Sequence, residues 1–286
     1  MDKGTLFYKN TWNIRGKLFS FPGTMVMGIL NTTPDSFYDG GRYKTDHQIL
    51  AQAEKMVAEG ASIIDVGGCS TRPGSENVSE EEELKRVLST ISLLKNKFPE
   101  HLVSVDTFSS VVAKMAVEEG ADLVNDISGG TMDERMFKTV SELKVPYILT
   151  HIQGTPNNMQ ENPHYKNVTQ EIFRYFGTAI TKLLELGVTD IILDPGFGFG
   201  KNTAHNFELL KNLSVFTSLG YPVMAGFSRK SMINKVIKTK PKNALNGTTV
   251  LNTIALRNGV SILRVHDVKE AVEAVELVNF LHQNPA

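Results

Sequence analysis

Ile191-Ile-Leu-Asp-Pro-Gly-Phe-Gly-Phe-Gly-Lys201 puts one carboxylate, three glycines and a lysine directly behind a short apolar run. A buried strand ending at a site looks like this, because glycine lets backbone take positive φ or approach a ligand where a Cβ would clash. A phosphate loop fails on spacing. A Walker loop needs glycine where Pro195 stands and Ser or Thr where Asn202 stands, and a dinucleotide fingerprint needs glycine in place of Lys201. The plain alternative is a glycine-rich strand-to-helix turn in which Asp194 caps a nearby helix.

The same form recurs along the chain. Thr24–Leu30 is apolar and stops at Asn31-Thr-Thr-Pro, and Ser62–Val66, Leu102–Val105, Leu123–Val124, Tyr147–Leu149, Ile191–Leu193, Pro222–Ala225 and Ile262–Val265 follow it. They end in Gly67-Gly68, Asp106, Asn125-Asp126, Thr150-His151, Asp194, Gly226-Phe-Ser and His266-Asp267. Short continuous runs suit strands buried on both faces, as in a parallel sheet. Helical patterns fill the intervals. Ser79-Glu-Glu-Glu82 reads as a capping box before an apolar stripe of Leu84, Val87, Leu88 and Ile91, and Asp267 as the N-cap of a last helix striped by Val268, Ala271, Val272, Val275 and Val278. Glycines at 60, 120, 187, 220 and 259 sit between helix and strand, where a left-handed C-cap is wanted.

Eight such units with no linker between them predict a (β/α)8 TIM barrel, one domain over residues 1–286 with an N-terminal extension over 1–23. An open doubly wound sheet is the alternative, disfavoured by the missing dinucleotide fingerprint. Residues 5–21 are weakly patterned and leave room for a hairpin under the barrel. The longest irregular stretches, Thr32–Lys44, Cys69–Val78 and Gln153–Tyr165, all follow strands, which in a barrel puts them at the catalytic face.

Composition bounds the function. A formal charge of -1 over 286 residues offers no general attraction for nucleic acid or an anionic membrane, so any anion must be bound locally. The single cysteine, Cys69, excludes an internal disulfide and a cysteine-cluster metal site, and suits a reducing cytoplasm. Residues 1–20 carry five charges without an apolar core, and no run reaches the roughly 18 apolar residues of a membrane span. The expected location is the cytoplasm.

Strand ends supply Asn31, Asp106, Asn125, Asp194, Arg264 and His266, and the seventh turn supplies Phe227-Ser-Arg-Lys230-Ser231. Each alone has a dull explanation: Asp106 as the cap of a helix near Phe108, Asn125 or else Asp126 in an Asx turn, His151 as a hydrogen-bonded support, Arg229 as a solvated side chain. Together they fall on one end of their strands, where chance would scatter them. Two carboxylates, an amide and a lysine suit a flat heterocycle with amidine-like donors and a carbonyl. Arg264 and His266, with Asn31 across the mouth, suit a pyrophosphate and its divalent cation. No nucleophile with an attendant base stands out, and a good leaving group would make one unnecessary.

The motifs resemble the dihydropteroate synthase family of bacterial folate synthesis over nearly the whole chain. The matching blocks are Gly28-Ile-Leu-Asn-Thr-Thr-Pro-Asp-Ser-Phe37, Asp65-Val-Gly-Gly68 with Ser70-Thr-Arg-Pro-Gly74, Ser104-Val-Asp106-Thr107, Asn125-Asp-Ile-Ser128, Asp194 to Lys201, Ser228-Arg-Lys230-Ser231 and Arg264-Val-His266-Asp267. The resemblance implies a (β/α)8 barrel that joins p-aminobenzoate to 6-hydroxymethyl-7,8-dihydropterin diphosphate and releases pyrophosphate with Mg2+. By the same resemblance Asp106, Asn125, Asp194, Phe199 and Lys230 hold the pterin, with Asp106 and Lys230 taking part in the chemistry. Asn31, Arg264 and His266 hold the diphosphate, Asn31 also meets Mg2+, and Thr71, Arg72, Pro73 and Ser231 form the p-aminobenzoate pocket. The loops 32–41 and 70–74 are expected to close over the site, sulfonamides to occupy the p-aminobenzoate pocket, and the protein to be a homodimer.

Two departures are Cys69, where many members have glutamate, and Thr150 and Ile152 around His151, where methionines are frequent. The first bears on how the second loop docks and the second on packing under the pterin. The methyltetrahydrofolate methyltransferases share a pterin-binding barrel but have no pyrophosphate to hold, so Asn31, Arg264 and His266 argue against them. A non-catalytic pterin-binding paralogue would be expected to lose loop or diphosphate residues, and none is lost.

Overall fold

Each of the eight apolar runs forms a parallel strand. The computed structural model describes residues 11–21, 23–32, 46–69 and 78–283. Strands β1 (Thr11–Ile14) and β2 (Lys17–Ser20) form an N-terminal hairpin. The barrel strands are β3 (Met25–Asn31), β4 (Ile63–Gly67), β5 (Leu102–Asp106), β6 (Leu123–Asp126), β7 (Tyr147–Thr150), β8 (Ile191–Asp194), β9 (Met224–Ala225) and β10 (Ile262–Val265). Their order is β8-β7-β6-β5-β4-β3-β10-β9, and a parallel bridge from Leu193 to Val223 closes the ring. That closure excludes the open sheet.

Helices α1 (Asp46–Ala58), α2 (Glu80–Lys97), α3 (Ser110–Glu119), α4 (Met136–Leu143), α5 (Val168–Glu185), α6 (Thr203–Lys211), α7 (Ser214–Thr217), α8 (Ser231–Ile237), α9 (Leu245–Arg257) and α10 (Val268–Gln283) lie between and after the strands. The stripes read from sequence are the buried faces: Val87 and Ile91 of α2, and Val268, Ala271, Val275 and Val278 of α10, pack into the layer outside the strands. Two caps differ from expectation. Ser79 Oγ accepts from Glu82 N at 3.2 Å, but the Glu82 carboxylate is drawn to Arg86 Nε at 2.8 Å and not back to the cap. Asp267 Oδ1 and Oδ2 form a two-point ion pair with Arg229 at 2.6 and 3.2 Å. A guanidinium fork offers two parallel bonds where a cap offers one, so Arg229 is not the solvated side chain its position suggested.

Strand alternation explains why the runs are continuously apolar. Val26, Ile64, Val66, Val103, Val105 and Leu263 face the helices. Met27, Ile63, Leu102, Leu123, Ile148, Ile192, Met224 and Ile262, one from each strand, fill the barrel floor. Beneath that floor the hairpin inserts Trp12, Ile14 and Phe21 as a plug, Trp12 only 1% exposed. Its turn puts Arg15 and Gly16 at φ 51° and 85°, the left-handed pair of a two-residue hairpin. Arg15 Nη2 then reaches Asp122 Oδ1 at 2.7 Å, and Asn13 N donates to Asp190 Oδ2 at 2.9 Å.

Candidate functional site

Two residues above the floor, the same inward phase turns polar. Side chains on one face of a strand recur every second residue, so Ile63 is followed inward by Asp65, Leu102 by Ser104, Leu123 by Asn125, Ile148 by Thr150, Ile192 by Asp194 and Ile262 by Arg264. One step higher stand Asn31, Asp106 and His266. Pairing is level from β4 to β5, Asp65 with Ser104 and Gly67 with Asp106, and then staggers by two residues, so that Asp106 pairs with Asn125 on β6 and the two inward side chains become neighbours.

Arg264 organises this layer. Its Nε donates to Asp65 Oδ2 at 2.7 Å and its Nη2 to Asp106 Oδ2 at 2.5 Å. A buried guanidinium is tolerable only with such partners. The two carboxylates outweigh burial and hold its proton more tightly than usual. Asn125 Nδ2 joins the cluster by donating to Asp65 Oδ2 at 3.1 Å. Four buried polar atoms of this one layer, Asp65 Oδ1, Ser104 Oγ, Asn125 Oδ1 and Thr150 Oγ1, have no hydrogen-bond partner among the described residues. Leaving one such group unpaired costs about 1–3 kcal/mol, so four in a ring mark where polar groups of another molecule belong.

On the opposite side Lys230 Nζ donates to Phe197 O at 2.5 Å and lies 5.0 Å from the centre of the Phe199 ring. Arg229 before it has φ 59°, a left-handed turn that aims Lys230 inward. Burial pushes the Lys230 ammonium down to about 8, with Asp194 opposing that shift and Arg264 adding to it. Burial pushes Asp106 up to about 7, against the pull of Arg264 and with Asp65 and Glu83 adding to the rise. Asp194 is raised by burial too, against Lys230. His266 Nδ1 lies 2.9 Å from Ser228 Oγ, and Asn31 Oδ1 lies close to Gly67 on the next strand.

The dull readings separate cleanly. Asp106 does not start α3, whose N-cap is Ser109. Asp126 faces away and is satisfied by Ser128, Gly130 N and Tyr147 Oη, so Asn125 is the inward residue. Asp194 does not cap α6, whose N-cap is Asn202; its Oδ1 accepts from Gly196 N at 2.8 Å. Ser231 is the exposed first residue of α8. Thr71, Arg72 and Pro73 lie outside the described residues, as does most of the first loop.

Asp65 and Ser104 were missed as site residues, although the alternation from Ile63 and Leu102 points to both. Glu83 was missed as well. It is 3% exposed, accepts from Thr107 Oγ1 at 2.7 Å and is hydrogen-bonded to the Cys69 thiol. Burial first, then Glu83, pushes that thiol up out of its reactive range. The Cys69 departure thus sets a thiol against Glu83 of α2, while the rest of the second loop to residue 77 lies outside the described residues. Ile152 packs with Ile127, Met159 and Phe199 beneath the Lys230 side, where the second departure was expected to act.

A closed (β/α)8 barrel with this ring of amide and carboxylate groups inside its C-terminal mouth defines a class of enzyme that takes a flat, polar-edged heterocycle. Residues 27–266 match the family described as pterin binding enzyme. The dihydropteroate synthase of Haemophilus influenzae is 44% identical over 245 residues, covering 85% of this chain and 88% of its own. The crystal structure of Yersinia pestis dihydropteroate synthase with a sulfonamide drug complex superposes with a TM-score of 0.88 at 40% identity, over 96% of this chain and 99% of that one. Xanthomonas albilineans dihydropteroate synthase with 4-aminobenzoic acid gives 0.88 at 36% identity, over 96% and 99%. The chain belongs to the pterin-binding enzymes and, within them, to the dihydropteroate synthase family.

Proposed function

We propose that the protein joins p-aminobenzoate to 6-hydroxymethyl-7,8-dihydropterin diphosphate, forming 7,8-dihydropteroate and releasing pyrophosphate. The observation that carries this reading is the ring of unpaired buried polar atoms beside Arg264, Asp106 and Lys230. Asn125 and Asp194, backed by Asp65, accept from the amidine-like edge of the pterin. Lys230 donates to its carbonyl, and Phe199 lies against the ring. Arg264, His266 and Asn31 take the diphosphate. Thr71, Arg72, Pro73 and Ser231 form the pocket for p-aminobenzoate, in which a sulfonamide competes.

The bond from the pterin methylene carbon to the diphosphate oxygen breaks, its electrons leaving with pyrophosphate. Arg264 and His266 stabilise the charge that gathers there, and ionised Asp106 stabilises the positive charge left on the ring. The amine nitrogen of p-aminobenzoate then attacks the methylene carbon, forming the C–N bond, and its extra proton passes to solvent water. A divalent cation fits this donor set only in part: Asn31 Oδ1 is a suitable oxygen, but no group of three His, Cys, Asp or Glu is gathered among the described residues. Mg2+ commonly takes few protein ligands and the oxygens of a substrate phosphate, so Asn31 would hold it together with the diphosphate. When bound, it would neutralise leaving-group charge.

The finer readings extend to assembly and place. Exposed Val250 and Ile254 of α9 and Leu277, Phe280 and Leu281 of the adjoining α10 support a homodimer through this face. The single cysteine supports action in the cytoplasm; among the described residues no helix is long and apolar enough to cross a membrane. The test is to supply pterin diphosphate, p-aminobenzoate and Mg2+ and to look for dihydropteroate by chromatography. Pterin binding without product would favour a binding paralogue, and methyl transfer from methyltetrahydrofolate would favour the methyltransferases.

A further inference from the structure

Lys201 closes the glycine stretch, yet no part of the proposed reaction uses it. It is 2% exposed, and its side chain is turned onto the backbone of the loop itself. Its Nζ meets four acceptors: Gly196 O at 2.9 Å, Phe199 O at 2.9 Å, His151 O at 3.2 Å and His151 Nδ1 at 3.0 Å. Burial pushes its pKa well below the ordinary lysine value, with Asp194 opposing that shift, but the three carbonyl oxygens around Nζ match the three N–H donors of an ammonium. His151 is held neutral, burial and then the lysine pushing it down to about 2, and facing an ammonium at 3.0 Å its Nδ1 is the accepting nitrogen, which leaves the ring proton on Nε2.

Three more carbonyls of the loop are also held. Lys230 takes Phe197 O, Gln160 takes Gly198 O and Tyr165 takes Gly200 O. The loop is seated on residues 151–153 so closely that a Cβ on Gly196 or Gly200 would fall 2.0 Å from His151 O or 2.3 Å from Gln153 O. Asp194 and Lys230 both bond to the backbone that Lys201 secures, Asp194 at Gly196 N and Lys230 at Phe197 O.

We propose that Lys201 is a positioning residue: its ammonium fixes the carbonyls of Gly196 and Phe199, and so sets Asp194 and Lys230 at the spacing the pterin ring requires. The inference rests on the proposed reaction and assigns Lys201 to one substrate only. Among the described residues the hydrogen bonds of Lys201 go to the loop and to His151 and not to Ser231.

The experiment is steady-state kinetics on the full chain, with Lys201→Met and His151→Leu beside the wild type. Displacing reacting groups by about 1 Å can cost on the order of 100-fold. The expected result for Lys201→Met is a rise of about 10- to 100-fold in KM for pterin diphosphate, with KM for p-aminobenzoate unchanged. His151→Leu removes one acceptor and leaves three, and should move the same constant by a smaller factor. Folded variants with an unaltered pterin KM, or with both KM values raised alike, would overturn the assignment. Failure of both variants to fold would overturn it too, because it would make Lys201 a residue of barrel stability. Wild-type turnover in the same preparation tests the reaction itself, so loss of that reading and loss of this one are told apart.

Discussion

Asp106 and Lys230 reach unusual proton affinities for one reason, burial in the barrel mouth, which disfavours the charge on each. The consequence is a bell. Asp106 must be ionised to stabilise a ring cation, so kcat/KM for pterin diphosphate falls as pH drops through about 7. Lys230 must be protonated to donate, so it falls again as pH rises through about 8. A pH profile on the wild type and on Lys230→Met checks both limbs: the variant keeps the acid limb and loses the alkaline one, and a flat wild-type profile would contradict the assignment. Arg264→Ala should weaken pterin diphosphate more than free hydroxymethylpterin in calorimetry. It should also cost about 3–5 kcal/mol of stability, because Asp65 and Asp106 lose their buried counter-charge. Equal loss for both ligands would remove the diphosphate role. The polar strand ends Asn31, Asp106, Asn125, Asp194 and Arg264 were legible in the sequence. Asp65 and Ser104 were not, because they lie inside their strands, where a polar residue marks a site only once the inward phase is known.

At the scale of elements, the punctuation of the sequence was a reliable guide and the capping residues were not. Gly120 ends α3 at φ 130° as its place between helix and strand requires, and the stripes of α2 and α10 are their buried faces. Asp267 and Glu82 were misread because arginines distant or near in sequence compete for the same carboxylates, and sequence spacing alone does not reveal that competition. The glycine stretch was half legible. Its glycines do take positive φ, but Gly196 and Gly200 are needed to seat the loop on residues 151–153 and not to meet a ring. The hairpin was expected only as a possibility of space, since the weakly patterned residues 5–21 say little by themselves. Its worth lies in Trp12 beneath the barrel floor. Trp12→Ala should destabilise the protein by about 3–5 kcal/mol in denaturant unfolding and leave both KM values unchanged. Full stability would mean that the plug is dispensable.

For the whole molecule, the division between floor and mouth separates stability from chemistry, as barrels of this kind generally do. Eight apolar side chains and the hairpin plug close one end, and the polar ring opens at the other. The closed ring was legible because strands buried on both faces must be apolar throughout, whereas self-association depends on surface side chains that no periodicity singles out. Sedimentation of the wild type against Leu277→Glu with Phe280→Glu checks the homodimer: the variant should sediment as a monomer, and a monomeric wild type would contradict the proposed face. The central claim is that one site both releases pyrophosphate and forms dihydropteroate. Its most direct measurement is the initial rate of both products from pterin diphosphate and p-aminobenzoate, in the wild type and in Asp106→Asn. The account predicts equal rates of the two products in the wild type and a fall of about 100-fold or more in the variant. Pyrophosphate without dihydropteroate, or an Asp106→Asn variant of undiminished rate, would contradict it.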